Sequence, residues 1–250
     1  TFNYIVVNFP NNPSIYEARI WLARLANEER HFREAEDLLN SLSKNLDFPK
    51  PLEGDLYATW ADFFIKQEKY SQAIEYLEKA IDHTRKKHRR VRHSYLLAQL
   101  YAKTGQFTEA SDSYGQVIRM NPPYEMTFNA KINRALTYQT GTGSRRDIEK
   151  QLGKLLRDDK NIEYQDQIYY ALGNLYFKEN IKEKAIENYR MSIQVSKDNT
   201  NQKALSNLTL ADIFYEEPNY MNAQAYYDSA VVIIFFDDPA SPEIYTKSVS

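Results

Sequence analysis

Apolar and small residues return along this chain in one repeating phrase, with polar residues filling the positions between. An apolar residue is followed by a small one and an aromatic lies near. A second aromatic or aliphatic residue and an alanine come after a short polar gap. The phrase reads Leu22-Ala23, Phe32, Ala35; then Trp60-Ala61, Phe64, Tyr70, Ala73; then Leu97-Ala98, Tyr101, Phe107, Ala110. Later copies read Leu172-Gly173, Tyr176, Ile181, Ala185 and Leu210-Ala211, Phe214, Tyr220, Ala223. Apolar positions three and four apart predict amphipathic helices, and the polar gap predicts a turn between them. The anchor alanines stand at 35, 73, 110, 185 and 223, separated by 38, 37, 75 and 38 residues. The interval of 75 holds two periods, so a further unit centres near Ile148. Ala135 and Tyr138 belong to its first helix, Gly141 to Ser144 to its turn, and Ile148, Leu152 and Leu155 to its second.

Each unit therefore predicts two antiparallel helices meeting at Ala or Gly, because a larger side chain at the crossing would push the axes apart. Tyr114, Tyr189 and Tyr227 are placed to fill the gap between one hairpin and the next. Six units are expected, at about 14–50, 52–88, 90–123, 125–161, 164–199 and 202–238. Residues 1–13 read as the end of a preceding unit and 241–250 as the start of a truncated one, so one array cut from a longer protein is expected. The apolar run Val231–Phe236 fits a face covered by a further helix, or else a partner patch.

Composition sharpens this picture. Seven glycines and nine prolines among 250 residues favour helices with short connections, and the prolines fall between periodic segments. The absence of cysteine excludes a disulfide framework and a Cys-ligated zinc site. A net charge of −2 provides no global attraction for nucleic acid or anionic membrane. No stretch approaches the roughly 20 apolar residues of a membrane span.

The phrase resembles the tetratricopeptide repeat over nearly the whole chain, with Pro122 where that family often places a proline after the second helix. Ile148 departs from the family's alanine, and the units exceed the family's roughly 34 residues, which implies longer linkers and one looser hairpin. The resemblance implies an all-α, tetratricopeptide-type α-solenoid of antiparallel hairpins wound as a right-handed superhelix, with protein binding and no catalysis as its work.

Catalytic and ligand chemistry is sparse. His83, His88 and His93 recur every five residues, whereas two ligands on one helical face need a spacing of three or four. Gly141-Thr142-Gly143-Ser144 lacks the spacing of a phosphate loop and reads as a turn. The sequon Asn207-Leu208-Thr209 falls inside a helix. No enzyme activity, cofactor, metal or small-molecule substrate is expected. One basic patch is conspicuous, comprising Arg85, Lys86, Lys87, Arg89, Arg90 and Arg92. It reads either as a site for phosphate or an acidic partner, or as a solvated link with cations at a helix C-terminus.

In a stack of hairpins the first helices line the concave side. Helical spacing places Arg24, Asn27, Asp62, Lys66, Arg92, Tyr95, Gln99 and Lys103 there, followed by Asn129, Asn133, Tyr170, Asn174, Lys178, Asp212 and Tyr215. Amides, tyrosines and cations suit an extended peptide. Asn174 and Lys178 fit in part the clamp with which some tetratricopeptide proteins hold a C-terminal carboxylate, but Tyr170 stands where that clamp wants a lysine.

A narrower likeness rests on several phrases: Phe2 to Pro13, Glu17-Ala18 with Trp21 to Arg24, Leu156 to Lys160, Asp166 to Ala171, Gln202 to Ala204, and Ala223 to Asp228. Together these resemble the PorW/SprE-type lipoproteins of type IX secretion and gliding motility. The likeness implies a periplasmic, outer-membrane-associated adaptor between ring and translocon components of the secretion machine. Such an adaptor touches membrane only through a lipid anchor outside this stretch. Two other readings stay open: a peptide-binding receptor or chaperone module using the groove, and a helical appendage of an enzyme whose catalytic domain lies elsewhere.

Overall fold

Helices begin and end where the phrase turns over. The computed structural model describes residues 2–9, 12–141 and 144–236. The partial unit expected at 241–250 and the turn residues Thr142 and Gly143 lie outside them. A short α1 (Phe2–Asn8) precedes the hairpins α2 (Ser14–Glu28) with α3 (Phe32–Ser43), and α4 (Glu53–Lys66) with α5 (Tyr70–His83). Next come α6 (Lys87–Lys103) with α7 (Phe107–Arg119), and then α8 (Tyr124–Leu136) and α9 (Arg145–Leu156). The series ends with α10 (Gln165–Lys178) and α11 (Lys182–Val195), then α12 (Thr200–Glu216) and α13 (Tyr220–Phe236). Short 3₁₀ turns at Lys50–Leu52 and Asp159–Tyr164 lead into α4 and α10. The chain divides into two compact units, Thr1–Ala130 and Lys131–Ser250.

Residues in the left-handed region stand in the hairpin turns: Arg30, Glu68, Gly105, Asn180 and Pro218 have φ of 59°, 59°, 76°, 58° and 31°, and Gly141, after α8, has φ of 84°. At four of these turns the following amide reaches back five residues to close the helix: His31 to Ala26, Lys69 to Phe64, Gln106 to Tyr101 and Ile181 to Tyr176, at 2.8 or 2.9 Å. This is the Schellman closure, for which glycine is the unstrained choice. Arg30 and Glu68 hold it against a steric cost of about 1 kcal/mol each.

Small residues then let the helices touch. Ala23, Ala35, Ala73, Ala98, Ala110, Ala185 and Ala211 are wholly buried, and Ala61 nearly so. In the first unit, Ala23 and Ala35 share a core with Leu39, Leu42, Leu56 and Trp60. Ala61 and Ala73 share the next with Leu77 and Leu97, and Ala98 and Ala110 the next with Tyr114 and Val117. Trp60 stacks on Phe64 and Tyr76, with centroids 5.7 and 5.4 Å away, and its indole N–H donates to Ser43 Oγ at 3.0 Å. Tyr114 is buried against Tyr95 of its own hairpin, in a core that also takes in Ala130 of the next one, and Tyr189 is buried against Tyr170 of its own hairpin. Tyr227 differs. It is only half-buried, and its hydroxyl donates to Asp212 of the same hairpin at 2.6 Å. Ile148, in place of the family's alanine, is buried, and Ser144 caps α9 by accepting from the Asp147 amide. Arg134 pairs with Asp147 at 3.0 Å and links α8 to α9.

The second unit also buries polar groups. Asp166 sits in the first turn of α10, where the helix dipole favours a carboxylate. Its Oδ1 accepts from the Gln167 amide at 2.8 Å and its Oδ2 from Ser196 Oγ at 3.1 Å. Ser192 Oγ donates to the Asp166 carbonyl and lies 2.8 Å from Ser206 Oγ, joining α10, α11 and α12. Asn207 is buried and bonds the Lys203 carbonyl, so the sequon is closed to modification.

At Gly173 a Cβ would stand 2.6 Å from the ring of Tyr189, which is fully buried. Gly173→Ala is expected to destabilise the protein by about 1–3 kcal/mol in urea denaturation. In a Tyr189→Leu background the same change is expected to do much less, and equal losses in both backgrounds would contradict the crossing geometry.

Candidate partner-binding surface

First helices of successive hairpins lie side by side, α2 against α4 in the first unit and α10 against α12 in the second. These four helices carry Arg24, Asn27, Asp62, Lys66, Tyr170, Asn174, Lys178, Asp212 and Tyr215 among the residues that helical spacing selects for the inner face. Arg24, Asn27, Asp62, Lys66, Arg92, Tyr95, Gln99, Lys103 and Asn129 belong to the first unit. Asn133, Tyr170, Asn174, Lys178, Asp212 and Tyr215 belong to the second.

Many of these residues bind the protein to itself. Arg24 donates through Nε to Thr59 Oγ1 and through Nη2 to Asp55 Oδ1, both at 3.1 Å. Arg89 reaches the same Asp55 carboxylate from α6, with both oxygens 2.8 Å from its Nη1. Buried Asn27 donates to the Thr59 carbonyl and to Asp62 Oδ2, at 3.2 and 3.0 Å. Lys66 closes the set on Glu28 at 3.0 Å and Asp62 at 3.8 Å. Lys103 lies over the Tyr70 ring at 4.6 Å, and hydrogen bonding to Tyr70 raises its pKa. Tyr170 lies 3.3 Å from Thr209 Oγ1, and Asn174 bonds the Tyr170 carbonyl. Asp212 takes the Tyr227 proton donor, Tyr215 packs edge-on against Tyr220, and Asn133 is half-buried. Spacing alone marks these positions as facing inward; it does not reveal that other groups of the protein, from the neighbouring hairpin for Arg24, Asn27 and Lys66, already use their polar atoms. Asp55 and Thr59, central to this network, escape the sequence reading. The signal that locates them is a complementary pair separated by nearly one period, as in Arg24–Thr59, Asn27–Asp62 and Asp55–Arg89.

Arg92, Gln99 and Lys178 stay exposed. Arg92, Tyr95 and Asn129 meet at a cleft of about 710 Å³ between α6 and α8, whose lining also includes Val91, Pro122 and Met126. The basic run corrects one expectation. Lys87 to Arg92 form the first turns of α6 and not a link after a helix C-terminus, because α6 begins three residues earlier than the period predicts. Cations at this end add to the positive pole of the helix dipole. Arg89 is neutralised by Asp55, whereas Arg85, Lys86, Lys87, Arg90 and Arg92 have no carboxylate partner among the described residues. Also among the described residues, no group of three or more His, Asp or Glu side chains is gathered as for a metal ion, and no helix is long and apolar enough to cross a membrane.

Two expectations follow from the Asp55–Asp62 network. Asp55→Ala leaves Arg24 and Arg89 facing one another without their shared anion. A loss of about 1–2 kcal/mol is expected in urea denaturation, discounted for partial exposure. An unchanged midpoint would dismiss the network as decoration. Burial raises the Asp62 pKa, against the opposing hydrogen bond from Asn27 and the charge of Lys66. A folded-state pKa above the unfolded one means that Asp62 favours folding below the ordinary carboxylate range. That contribution is lost as pH rises through the folded value. Asp62→Asn, which keeps an acceptor for Asn27, is expected to gain stability over the wild type as pH rises from 4 to 7. A gain that is flat with pH would contradict the assignment.

Profiles of the tetratricopeptide repeat match residues 54–122 and 166–199. The chain is similar in structure to YrrB, a tetratricopeptide protein with an unusual peptide-binding site. That match has 17% identity and a TM-score of 0.59, and it covers 81% of this chain and 95% of that one. It is also similar to the apo form of the quorum sensor NprR from B. thuringiensis, at 14% identity and a TM-score of 0.59, covering 93% and 69%. NprR in complex with its cognate peptide NprX matches at 14% identity and a TM-score of 0.51, covering 92% and 71%. Likeness at these identities shows a shared fold. With tetratricopeptide repeats matched at 54–122 and 166–199 and helical hairpins on either side of both, the fold is an all-α, tetratricopeptide-type solenoid.

Proposed function

We propose that this protein is a non-catalytic interaction scaffold that binds other proteins on the exposed faces of its first helices. The α6–α8 cleft carries the reading: Arg92, Tyr95 and Asn129, from two neighbouring first helices, surround an apolar floor open to a partner side chain. Mixed polar and aromatic side chains over an apolar base are the usual make-up of a peptide-binding surface. The repeat matches favour the same role. The phrases shared with PorW/SprE-type lipoproteins support a finer placing: an adaptor between ring and translocon components of a type IX secretion and gliding machine. Its location would be the periplasmic side of the outer membrane.

The peptide-binding descriptions of YrrB and of NprR with NprX favour a second reading, a receptor for a short free peptide. A photo-crosslinking residue at Gln99 or Lys178 of the full-length protein in cells separates the two. Discrete protein adducts are expected for the scaffold, and adducts confined to short peptides would favour the receptor. An absence of adducts at both positions, with the protein stably present, would refute both readings. For the finer placing, deletion of the gene is expected to abolish type IX cargo secretion, and normal secretion would remove it.

A further inference from the structure

The chemistry of the α6–α8 cleft narrows the kind of partner, an inference that rests on the scaffold reading above. Its floor is apolar, made by Val91, Pro122, Pro123 and Met126. Its rim is cationic, with Lys87 and Arg92 on α6 and one carboxylate, Glu125, on α8. A volume of about 710 Å³ is ample for one or two large side chains. Charge around the rim is lopsided: Arg85, Lys86 and Arg90 lie within one turn, and like Lys87 and Arg92 they have no carboxylate partner among the described residues. The chain as a whole carries a net charge of −2, so this excess is local. No acidic residue occupies the first turn of α6, and its N-cap residue Lys86 makes no side-chain cap bond. Cations crowded at the positive pole of a helix repel one another and the pole itself, and an incoming carboxylate relieves both.

We propose that this cleft receives an acidic linear segment of a partner protein. One apolar side chain of the segment enters the floor between Val91 and Met126, and flanking aspartates or glutamates meet Lys87 and Arg92. Apolar burial fixes the register, while the cations speed encounter and select against basic segments.

The test uses the full chain and a fluorescein-labelled peptide of sequence Asp-Glu-Asp-Leu-Phe-Asp-Glu-Asp, followed by fluorescence anisotropy. Saturable binding is expected, weakened about tenfold or more by Lys87→Glu or by Arg92→Glu. A similar loss is expected when Leu-Phe in the peptide becomes Ser-Ser, and raised salt is expected to weaken binding steeply. Lys150→Glu, on the exposed side of α9, serves as the charge control and is expected to leave affinity unchanged. Circular dichroism confirms that each variant folds. Absence of saturable binding by the folded wild type would overturn the proposal, as would equal binding of the Ser-Ser peptide or equal weakening by Lys150→Glu. Tighter binding of an oligouridylate than of the peptide would also overturn it, assigning the cations to nucleic acid. If crosslinks from Gln99 persist unchanged in Arg92→Glu cells, this inference fails while the scaffold reading stands.

Discussion

Two helices can lie close together only where a small residue stands at their crossing, and the geometry of each hairpin follows from that constraint. Ala23 with Ala35, Ala61 with Ala73 and Ala98 with Ala110 sit buried in three successive cores of the first unit. In the second unit Gly173 leaves room for the Tyr189 ring that a Cβ would strike. Close approach brings the larger neighbours, Leu39, Leu77 and Val117, into full burial. The left-handed residues at Arg30, Glu68, Gly105 and Asn180 reverse the chain soon enough for the second helix to return against the first. Arg30 and Glu68 accept an unfavourable backbone conformation at that point, so the reversal matters more than local preference.

Once hairpins stack, polar side chains find partners one period away. Arg24 reaches Thr59, Asn27 reaches Asp62, Lys182 reaches Glu217 and Arg190 reaches Tyr226. Each bond joins equivalent regions of adjacent hairpins, where a polar group half-removed from water needs a partner. The consequence for function is subtractive. Several residues that an isolated helix would present are already occupied, while Arg92, Gln99 and Lys178 are among those that stay exposed.

The basic run at the start of α6 runs against the dipole preference that helices usually respect. One of its members, Arg89, is satisfied by Asp55 from the preceding hairpin, and this bond also ties α6 to α4. The others face solvent beside an apolar recess.

The repeat itself was legible in the order of residues, because the helical period and the demand for Ala or Gly at each crossing act over a few neighbouring positions. Leu22-Ala23 and Ala35 announce a hairpin without reference to the rest of the chain, and Ile148 betrays a disguised one through its spacing. The start of α6 was less legible, since Lys87 to Arg90 look like a linker until Arg89 is seen against Asp55. Which inner-face residues remain free was not legible at all. Arg24, Asn27 and Lys66 read the same as Arg92 and Gln99 in sequence. Their difference arises only when the next hairpin brings Asp55, Thr59 and Asp62 within hydrogen-bond distance. Local periodicity encodes the elements; the competition for polar partners is settled between elements, and so it belongs to the tertiary structure.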